Sequence, residues 1–263
     1  MSLSKEMINK LEDILKESLR KKFKVYKPET NFMPFHTRLL GKDRMALSSF
    51  IHSLSTNFGT SFYEPISEAI ASVKYKEVKT QVIAGNKISE EAQNVIQTIM
   101  DNLTTAREKP MKLHEIEKIR QVCQSDNMRI VKPTKIDVFL KSHEDEIYFI
   151  DLKSVKPNKG NFIEFKRTLL EWVACFLADN PDAKINTLIA MPYNPYEPKP
   201  YARWTMAGMI DLKNELKVAD EYWDFLGGQN TYTQLLDIFE KVGVEMRTEI
   251  DEYFNAFNLE KNK

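Results

Sequence analysis

The chain has 263 residues, of which 42% are hydrophobic, and its 38 lysines and arginines balance its 38 aspartates and glutamates. That length and apolar content can fill one large core, so we expect a single domain over residues 1–263. A neutral chain is not expected to coat nucleic acid generally, because such proteins carry excess positive charge. No apolar run is long enough to span a membrane and the start is not a signal peptide, so we expect a soluble, cytoplasmic protein without a membrane partner.

The first part of the chain, residues 1–110, is predicted to be mainly helical. Apolar residues recur at helical spacing in four segments, which are Ser4 to about Lys22, Lys42 to Thr56, Glu64 to Tyr75 and Ser89 to Arg107. Ser89 is of a type that caps helices. This helical block is interpreted either as a scaffold packed under a sheet or as a dimerisation region.

Two apolar segments in the middle of the chain contain unexpected charges. Lys135 to Leu140 and Ile147 to Lys153 are rich in β-branched and aromatic residues, and the polar stretch between them predicts a β-hairpin. In a hairpin centred on that stretch, Asp137 and Asp151 face each other with Cβ atoms about 4.5–5.5 Å apart. Side chains alternate along a strand, so Lys153 is predicted on the same face as Asp151.

This pair of acids predicts a metal site. Like charges at that spacing repel, and a divalent cation with oxygen ligands would relieve the repulsion, which favours Mg²⁺. The predicted ligands are Asp137, Asp151 and the backbone carbonyl of Leu152. The ammonium of Lys153 would hold an attacking water or stabilise charge on a phosphate. The plainer alternative is an edge hairpin whose polar face is simply solvated.

A helix and a further strand are predicted after the hairpin. Phe162 to about Ala178 has helical apolar spacing, and Asn161 is predicted to be its N-cap. Ile185 to Met191 reads as a strand. The order of hairpin, helix and strand requires a crossover and therefore a mixed sheet. The sequence thus predicts an α/β (α+β) fold, with the α/β core over residues 111–210 and a helical region over 211–263.

Two segments near the acids carry side chains suited to DNA. A basic cluster follows Lys153, where a phosphate backbone would find positive charge. The proline-rich segment from Met191 to Trp204 is interpreted as a rigid loop that reads or grips DNA, or alternatively as a stiffened surface loop. The candidate DNA-binding residues in these segments are Lys156, Lys159, Lys166, Arg167, Asn194, Lys199 and Arg203.

Other residue types that often form sites are interpreted as structural. Cys123 and Cys175 are too few for a disulfide framework and read as reduced core residues. The four histidines lack metal-binding spacing. Tyr222, Trp223 and Phe225 are interpreted as core residues rather than as base-stacking residues.

The residues around the acids resemble a known group of enzymes. Asp137, followed by Asp151-x-Lys153 on the next strand and then by a helix, resembles the catalytic core of the PD-(D/E)xK nuclease superfamily. The runs from Asp151 to Gly160 and from Phe165 to Trp172 are similar to type II restriction endonucleases of the TdeIII-type group. Glu221 to Gly228 and Phe58 to Glu64 show the same similarity. One departure is Ile136, at a variable position where the superfamily's name expects proline.

This resemblance implies a fold and an activity. The fold would be restriction-endonuclease-like, with helices flanking a mixed β-sheet. The activity would be hydrolysis of double-stranded DNA with one or two Mg²⁺ ions per site and with Asp137, Asp151 and Lys153 as catalytic residues. Related nucleases often draw a further carboxylate from an early helix, for which Glu68 is the first candidate and Glu64 the second.

The resemblance also implies partners and a target. A homodimer would place one active site on each strand of a short palindromic sequence. The target would be GGNCC-like, and a matching DNA methyltransferase would accompany the enzyme without forming a stable complex. Two other interpretations stay open, which are a repair or recombination nuclease of the same fold and a non-catalytic DNA-binding protein with a relic site.

Overall fold

The structure is a computed structural model, and it describes residues 3–27, 33–125, 127–153 and 159–256. Its α-helices are Lys5–Val25 (α1), Pro34–Leu40 (α2), Lys42–Phe58 (α3), Glu64–Ala71 (α4), Glu90–Thr104 (α5), Lys112–Arg120 (α6), Lys159–Asp179 (α7), Asp220–Gly227 (α8), Thr231–Glu245 (α9) and Arg247–Asn255 (α10). Its strands are Glu77–Ile83 (β1), Lys87–Ser89 (β2), Met128–Ile130 (β3), Lys135–Lys141 (β4), Glu146–Leu152 (β5), Lys184–Met191 (β6) and Leu216–Val218 (β7). A π-helix, Gly59–Tyr63, joins α3 to α4, and Arg203–Met206 forms a 3₁₀ turn.

Five strands form one mixed sheet in the order β1-β4-β5-β6-β7. The β1–β4 and β4–β5 pairs are antiparallel, whereas the β5–β6 and β6–β7 pairs are parallel. Helix α7 provides the crossover that parallel β5 and β6 require. The predicted mixed sheet and the α/β fold class are therefore confirmed.

The sheet separates two apolar clusters because its side chains alternate between faces. Phe139 and its cross-strand partner Phe149 pack in one cluster, with residues of α5, α6 and α7. Val138 and Leu140 pack in the other, with residues of α1, α4, α8 and α9. Strands β4 and β5 are buried on both faces, which explains their nearly continuous apolar sequence. None of the described helices is long and apolar enough to cross a bilayer.

Several predicted elements are confirmed, with small shifts at their ends. Ser4 caps α1 by accepting a hydrogen bond from Met7 N–H at 3.1 Å, and Ser89 caps α5 in the same way. The prediction for α7 was wrong in detail, because the helix begins at Lys159 and Asn161 lies within its first turn rather than at the N-cap. Tyr222 and Trp223 are buried, as predicted, and Phe225 is half-buried.

Strand β1, which pairs with β4 at the edge of the sheet, was not predicted from the sequence. The helix predicted over Glu64–Tyr75 ends at Ala71, and the chain then turns into β1. Lys79 and Gln81 interrupt the apolar pattern of this strand, so its sequence resembles a polar connection. Cys123 and Cys175 are both free and buried, as predicted.

Candidate active site

The hairpin of β4 and β5 brings the two predicted acids to the same end of the sheet. Its register pairs Val138 with Ile150 and Phe139 with Phe149. Asp137 and Asp151 each lie one residue beyond the last pair of this register, Val138 with Ile150, and Asp151 is at the carboxyl end of β5. The turn follows the predicted polar stretch, where Asp145 adopts a positive φ of 59°.

Both carboxylate oxygens of Asp137 accept hydrogen bonds. Oδ2 accepts from the backbone N–H of Leu152 at 2.8 Å. Oδ1 accepts from Nε2 of Gln81 at 3.3 Å. The Asp137 side chain is therefore held from β5 on one side and from β1 on the other.

Asp151 is a buried carboxylate that forms an ion pair with Lys153. It is only 3% exposed, and its Oδ1 lies 2.7 Å from Nζ of Lys153. Its Oδ2 is buried and has no hydrogen-bond partner among the described residues. Burial raises the pKa of Asp151 to about 7, Lys153 opposes that rise, and the charge of Asp137 adds to it.

Lys153 faces a cavity at this end of the sheet. Its Nζ lies 4.7 Å from the centre of the Phe165 ring, a cation–π distance that orients the ammonium. The cavity has a volume of about 560 Å³, and its lining includes Lys153, Tyr63 and Tyr193. An extended substrate therefore has access to the lysine beside the two acids.

A third carboxylate reaches the site from the helical block. Glu64 follows the π-helix at the start of α4, is buried, and accepts a hydrogen bond from Nε2 of Gln81 at 2.9 Å. Burial raises the pKa of Glu64 to about 7, against the effect of the Gln81 hydrogen bond. Glu68 is exposed and lines a different groove with Lys10 and Lys76. The structure thus brings the second candidate, Glu64, to the acids and does not bring Glu68 there.

These residues fit a hard divalent cation. Among the described residues no group of three His, Cys, Asp or Glu side chains is already gathered as a metal site. Within the described part of the chain, Asp151 Oδ2 nevertheless lacks a hydrogen-bond partner in a buried position next to Asp137, and burying an unsatisfied carboxylate oxygen is costly. A cation bound there would supply the missing interaction, and an all-oxygen donor set suits Mg²⁺.

The predicted DNA-binding residues lie in different environments. Lys166 is fully buried and forms ion pairs with Glu115 and Glu215, so its predicted contact with a phosphate does not agree with the structure. Helical spacing could have indicated this burial, because Lys166 lies four residues after Phe162 and three before Leu169, both of which pack in the core. Arg167 donates to Gln97 Oε1 at 2.9 Å beside a second cavity.

The loop after β6 leaves the sheet beside the active-site cavity, as predicted. The amide of Asn194 donates to the carbonyl of Lys199 at 2.8 Å and accepts from Tyr196 N–H at 3.0 Å, so it closes the loop. Lys199 is exposed. Lys156 lies outside the described residues, and the structure does not describe the side chains of Lys159 and Arg203.

Sequence reasoning missed one residue of this site, Gln81. Its amide contacts both Glu64 and Asp137, although a glutamine in a polar segment carries no chemical signal. Only the pairing of β1 with β4 brings it there, and that strand was not predicted. A positive φ of 55° at Gln81 also cannot be read from the sequence.

A mixed sheet that is flanked by helices and presents two acids and a lysine at one end is a restriction-endonuclease-like arrangement. The sequence matches the family model described as "Type II restriction endonuclease, HinfI" over residues 3–243. The chain belongs to this HinfI family of type II restriction endonucleases, so the predicted enzyme class is confirmed. The sequence motifs suggested the TdeIII-type group, and the family that matches is HinfI.

Similar curated proteins are also type II restriction enzymes. HgiCII of Herpetosiphon aurantiacus is 26% identical over 221 residues, which cover 82% of this chain and 80% of HgiCII. MjaII of Methanocaldococcus jannaschii is 27% identical over 287 residues, covering 98% of this chain and 76% of MjaII. HgiEI of Herpetosiphon aurantiacus is 25% identical over 268 residues, covering 92% of this chain and 95% of HgiEI.

Proposed function

We propose that this type II restriction endonuclease uses Mg²⁺ to hydrolyse phosphodiester bonds in both strands of a short palindromic DNA site. The observation that carries the metal requirement is the buried Oδ2 of Asp151 next to Asp137, which has no hydrogen-bond partner among the residues that the structure describes. The proposed ligands are Asp137, Asp151 and the carbonyl of Leu152, and Glu64 replaces Glu68 as the further carboxylate. We propose that residues 1–263 act as one domain, because both apolar clusters share one sheet.

In this mechanism each residue has a distinct task. Bound Mg²⁺ would neutralise the acids and polarise the phosphate and the attacking water. Lys153 holds the water in the cavity and stabilises the charge that develops on the phosphate oxygens. The water oxygen gives up a proton to the solvent and forms a bond to phosphorus, the bond from phosphorus to the leaving oxygen breaks, and that oxygen takes up a proton from the solvent. Asp151, 2.7 Å from the ammonium, keeps Lys153 positioned.

Cleavage of plasmid DNA tests this function. Purified protein is incubated with plasmid and Mg²⁺, with EDTA in place of Mg²⁺ as a control, and the resulting ends are sequenced. We expect discrete ends at one short palindrome, a GGNCC-like sequence being the first candidate, and no cutting in EDTA. Random ends would instead favour a repair or recombination nuclease. Binding without any cutting would favour a relic site.

We further propose that two copies of the chain act together, because each chain carries one such site and a palindrome presents the same half-site twice. Helices α2 and α3 expose a group of large apolar side chains, with Phe35 and Leu39 each 83% exposed, Ile51 52% and Leu47 42%. Monomers rarely expose large apolar patches. An apolar face without a dominant charge can pack against its own copy, as a two-fold interface requires.

The same helices connect this face to the active site. The carboxyl end of α3 contributes Thr56 and Phe58 to the cavity that contains Lys153. A second copy on α2 and α3 would therefore place its own site at a fixed distance along the duplex. This continuity favours a second copy over another partner on that face.

Two leucine substitutions test the dimer. Leu39→Glu places a charge in the proposed interface, while Leu113→Glu makes the same change on α6, where Leu113 is 67% exposed. We expect a dimer for the wild type and for Leu113→Glu in sedimentation equilibrium, and a monomer that only nicks DNA for Leu39→Glu. A dimeric Leu39→Glu protein that makes double-strand breaks would overturn this interface.

The remaining partners follow from the activity. We propose that phosphates are contacted by Lys156, Lys159, Arg167 and Lys199, while Arg203 is the candidate for reading a base. A cytoplasmic location would give the enzyme access to invading DNA. A cognate DNA methyltransferase would then protect the same sequence in the cell's own DNA, without a stable complex.

A further inference from the structure

We infer that Gln81 is a positioning residue of the metal site, which joins Asp137 to Glu64 and sets the affinity of the site for its cation. This inference rests on the proposed metal-dependent function. It concerns a residue that does not belong to the acid-and-lysine motif and that touches two carboxylates at once.

The first observation is the pair of hydrogen bonds made by one nitrogen. Nε2 of Gln81 donates to Oε1 of Glu64 at 2.9 Å and to Oδ1 of Asp137 at 3.3 Å. An amide nitrogen has two protons, so it can serve both acceptors. The glutamine therefore holds together two carboxylates that would otherwise repel each other.

The second observation is the backbone of Gln81. The β1–β4 register pairs Thr80 with Val138 and Val82 with Ile136, which places Gln81 at the step of Asp137. Gln81 has a φ of 55°, a left-handed conformation that is unusual for a residue with a Cβ, above all within a strand. Strained residues persist where the surroundings fix them, and they concentrate at functional sites. Here the strained position is the one that aims the amide at both acids.

The third observation is the element that carries Glu64. The π-helix Gly59–Tyr63 leads directly into Glu64, and π-turns in helices are frequent at functional sites. Gln81 therefore links this irregular helix to Asp137 on β4, across the edge of the sheet. Asp137 is also held by Leu152 N–H at 2.8 Å, so both of its oxygens are oriented before a cation arrives.

This arrangement has a specific consequence for metal binding. Ligand carboxylates that are oriented by hydrogen bonds need not be restrained when the cation binds, and loss of such outer contacts typically costs about 10–100-fold in metal affinity or activity. Gln81 does not touch the substrate in this view. Its loss should therefore raise the Mg²⁺ concentration required for cleavage more than it lowers the rate at saturating Mg²⁺.

The test uses two substitutions of Gln81 and one control. Gln81→Met removes the amide at nearly constant length, and Gln81→Gly removes it while accepting a positive φ without strain. Gln121→Met makes the same chemical change at an exposed position after α6. Binding of Mn²⁺ without DNA is followed by electron paramagnetic resonance of the free ion, and cleavage is titrated with Mg²⁺.

We expect both Gln81 variants to bind Mn²⁺ about 10–100-fold more weakly and to need correspondingly more Mg²⁺ for half-maximal cleavage. Their rates at saturating Mg²⁺ should stay within a few-fold of wild type, and Gln121→Met should match wild type throughout. Unchanged Mn²⁺ affinity in Gln81→Gly, with a folded protein by circular dichroism, would overturn the inference. A wild-type protein that neither binds Mn²⁺ nor cuts DNA would overturn the proposed function itself.

Discussion

The backbone N–H of Leu152, the last residue of β5, donates a 2.8 Å hydrogen bond to Oδ2 of Asp137 on β4. This contact joins the two strands at the candidate site. Asp137 is thus both a proposed metal ligand and a link between two strand ends. These two roles can be separated, because only one of them requires a negative charge.

Asp137→Asn and Asp137→Ala separate the roles of this side chain. Asparagine retains an oxygen that can accept from Leu152 N–H, whereas alanine leaves that donor without its partner, at a cost of about 1–3 kcal/mol. We expect neither variant to cut plasmid DNA with Mg²⁺, and only the alanine variant to lose stability in urea. Wild-type cleavage by Asp137→Asn would remove Asp137 from the metal site.

Asp151→Asn is expected to inactivate the enzyme and to stabilise the metal-free protein. Burial raises the pKa of Asp151 to about 7, so the folded state binds the proton more tightly than the unfolded chain does. The stability contributed by that proton is present at low pH and is lost as the pH rises toward 7. Asparagine is neutral at every pH and avoids this loss.

The measurement is urea unfolding without metal at pH 5 and pH 8. Asp151→Asn should exceed wild type in stability by a larger margin at pH 8 than at pH 5. Addition of Mg²⁺ should stabilise the wild type and leave the variant unchanged, because ligand binding stabilises only the state that binds. A variant less stable than wild type at pH 8 would contradict the assignment of Asp151 as a carboxylate whose charge is destabilised by burial.

Lys153→Ala should cut very slowly and still bind DNA. Loss of one donor that stabilises transition-state charge typically costs about 10²–10³ in rate. Lys217→Ala is a matched control, because Lys217 also lies over an aromatic ring, 4.8 Å from the centre of Phe225, but on β7. Single-turnover cleavage and binding measured in Ca²⁺ would distinguish the roles. If Lys153→Ala lost mainly affinity and kept its turnover, the lysine would be a phosphate anchor.

The sequence predicted the centre of the fold and of the site because both depend on local pattern. Asp137 and Asp151 are equally far from one polar turn, so hairpin symmetry alone places them opposite each other. Lys153 follows by strand alternation, and its 2.7 Å approach to Asp151 agrees with that geometry. These inferences need no knowledge of distant parts of the chain.

Residues that depend on non-local packing were not predictable in this way. Glu64 and Glu68 lie four residues apart, so on a regular helix they share a face and spacing cannot choose between them. The packing of α4 against β1 buries Glu64 and leaves Glu68 exposed. Gln81 was missed because β1 is a polar edge strand whose partner lies more than fifty residues away.

The burial of Lys166 gives a test of stability rather than of DNA binding. Its ammonium lies 2.7 Å from Glu215 and also contacts Glu115, joining α7 to α6 and to the segment before β7. Burial alone lowers the pKa of Lys166, but the two carboxylates outweigh that effect and raise it. Removal of the lysine would leave two buried carboxylates close together without a cation.

Lys166→Met should therefore lower the free energy of unfolding by about 3–5 kcal/mol, as expected when one partner of a buried ion pair is removed. Lys76→Met is the control, since Lys76 pairs with Asp145 on the surface at 3.1 Å and such pairs contribute about 0–1 kcal/mol. Urea midpoints of both variants give the comparison. A Lys166→Met protein with wild-type stability and weakened DNA binding would restore the phosphate contact predicted from the sequence.

The loop after β6 is expected to separate reading of bases from gripping of the backbone. Arg203 has the guanidinium group suited to a bidentate contact with guanine, whereas Lys159, at the start of α7, is proposed to contact a phosphate. Loss of a base contact should cost about 1–3 kcal/mol of binding free energy and relax discrimination at one base position. Loss of a phosphate contact should weaken binding to all DNA sequences alike and lower the slope of log affinity against log salt concentration by about one unit. The side-chain amide of Asn194 already forms hydrogen bonds with the backbone of Lys199 and Tyr196. Asn194→Ala should therefore loosen the loop rather than change specificity at one base.

These roles are tested by measuring how Arg203→Ala, Lys159→Ala and Asn194→Ala bind cognate and single-mismatch duplexes across a salt series. Arg203→Ala should bind cognate and mismatched duplexes with more similar affinity and keep the wild-type salt slope. Lys159→Ala should keep wild-type discrimination and show the smaller slope. Unchanged discrimination in Arg203→Ala would exclude this arginine from base reading. It would then direct attention to Arg167 and its partner Gln97, whose side chains line the second cavity beside α7 and offer the same hydrogen-bonding groups.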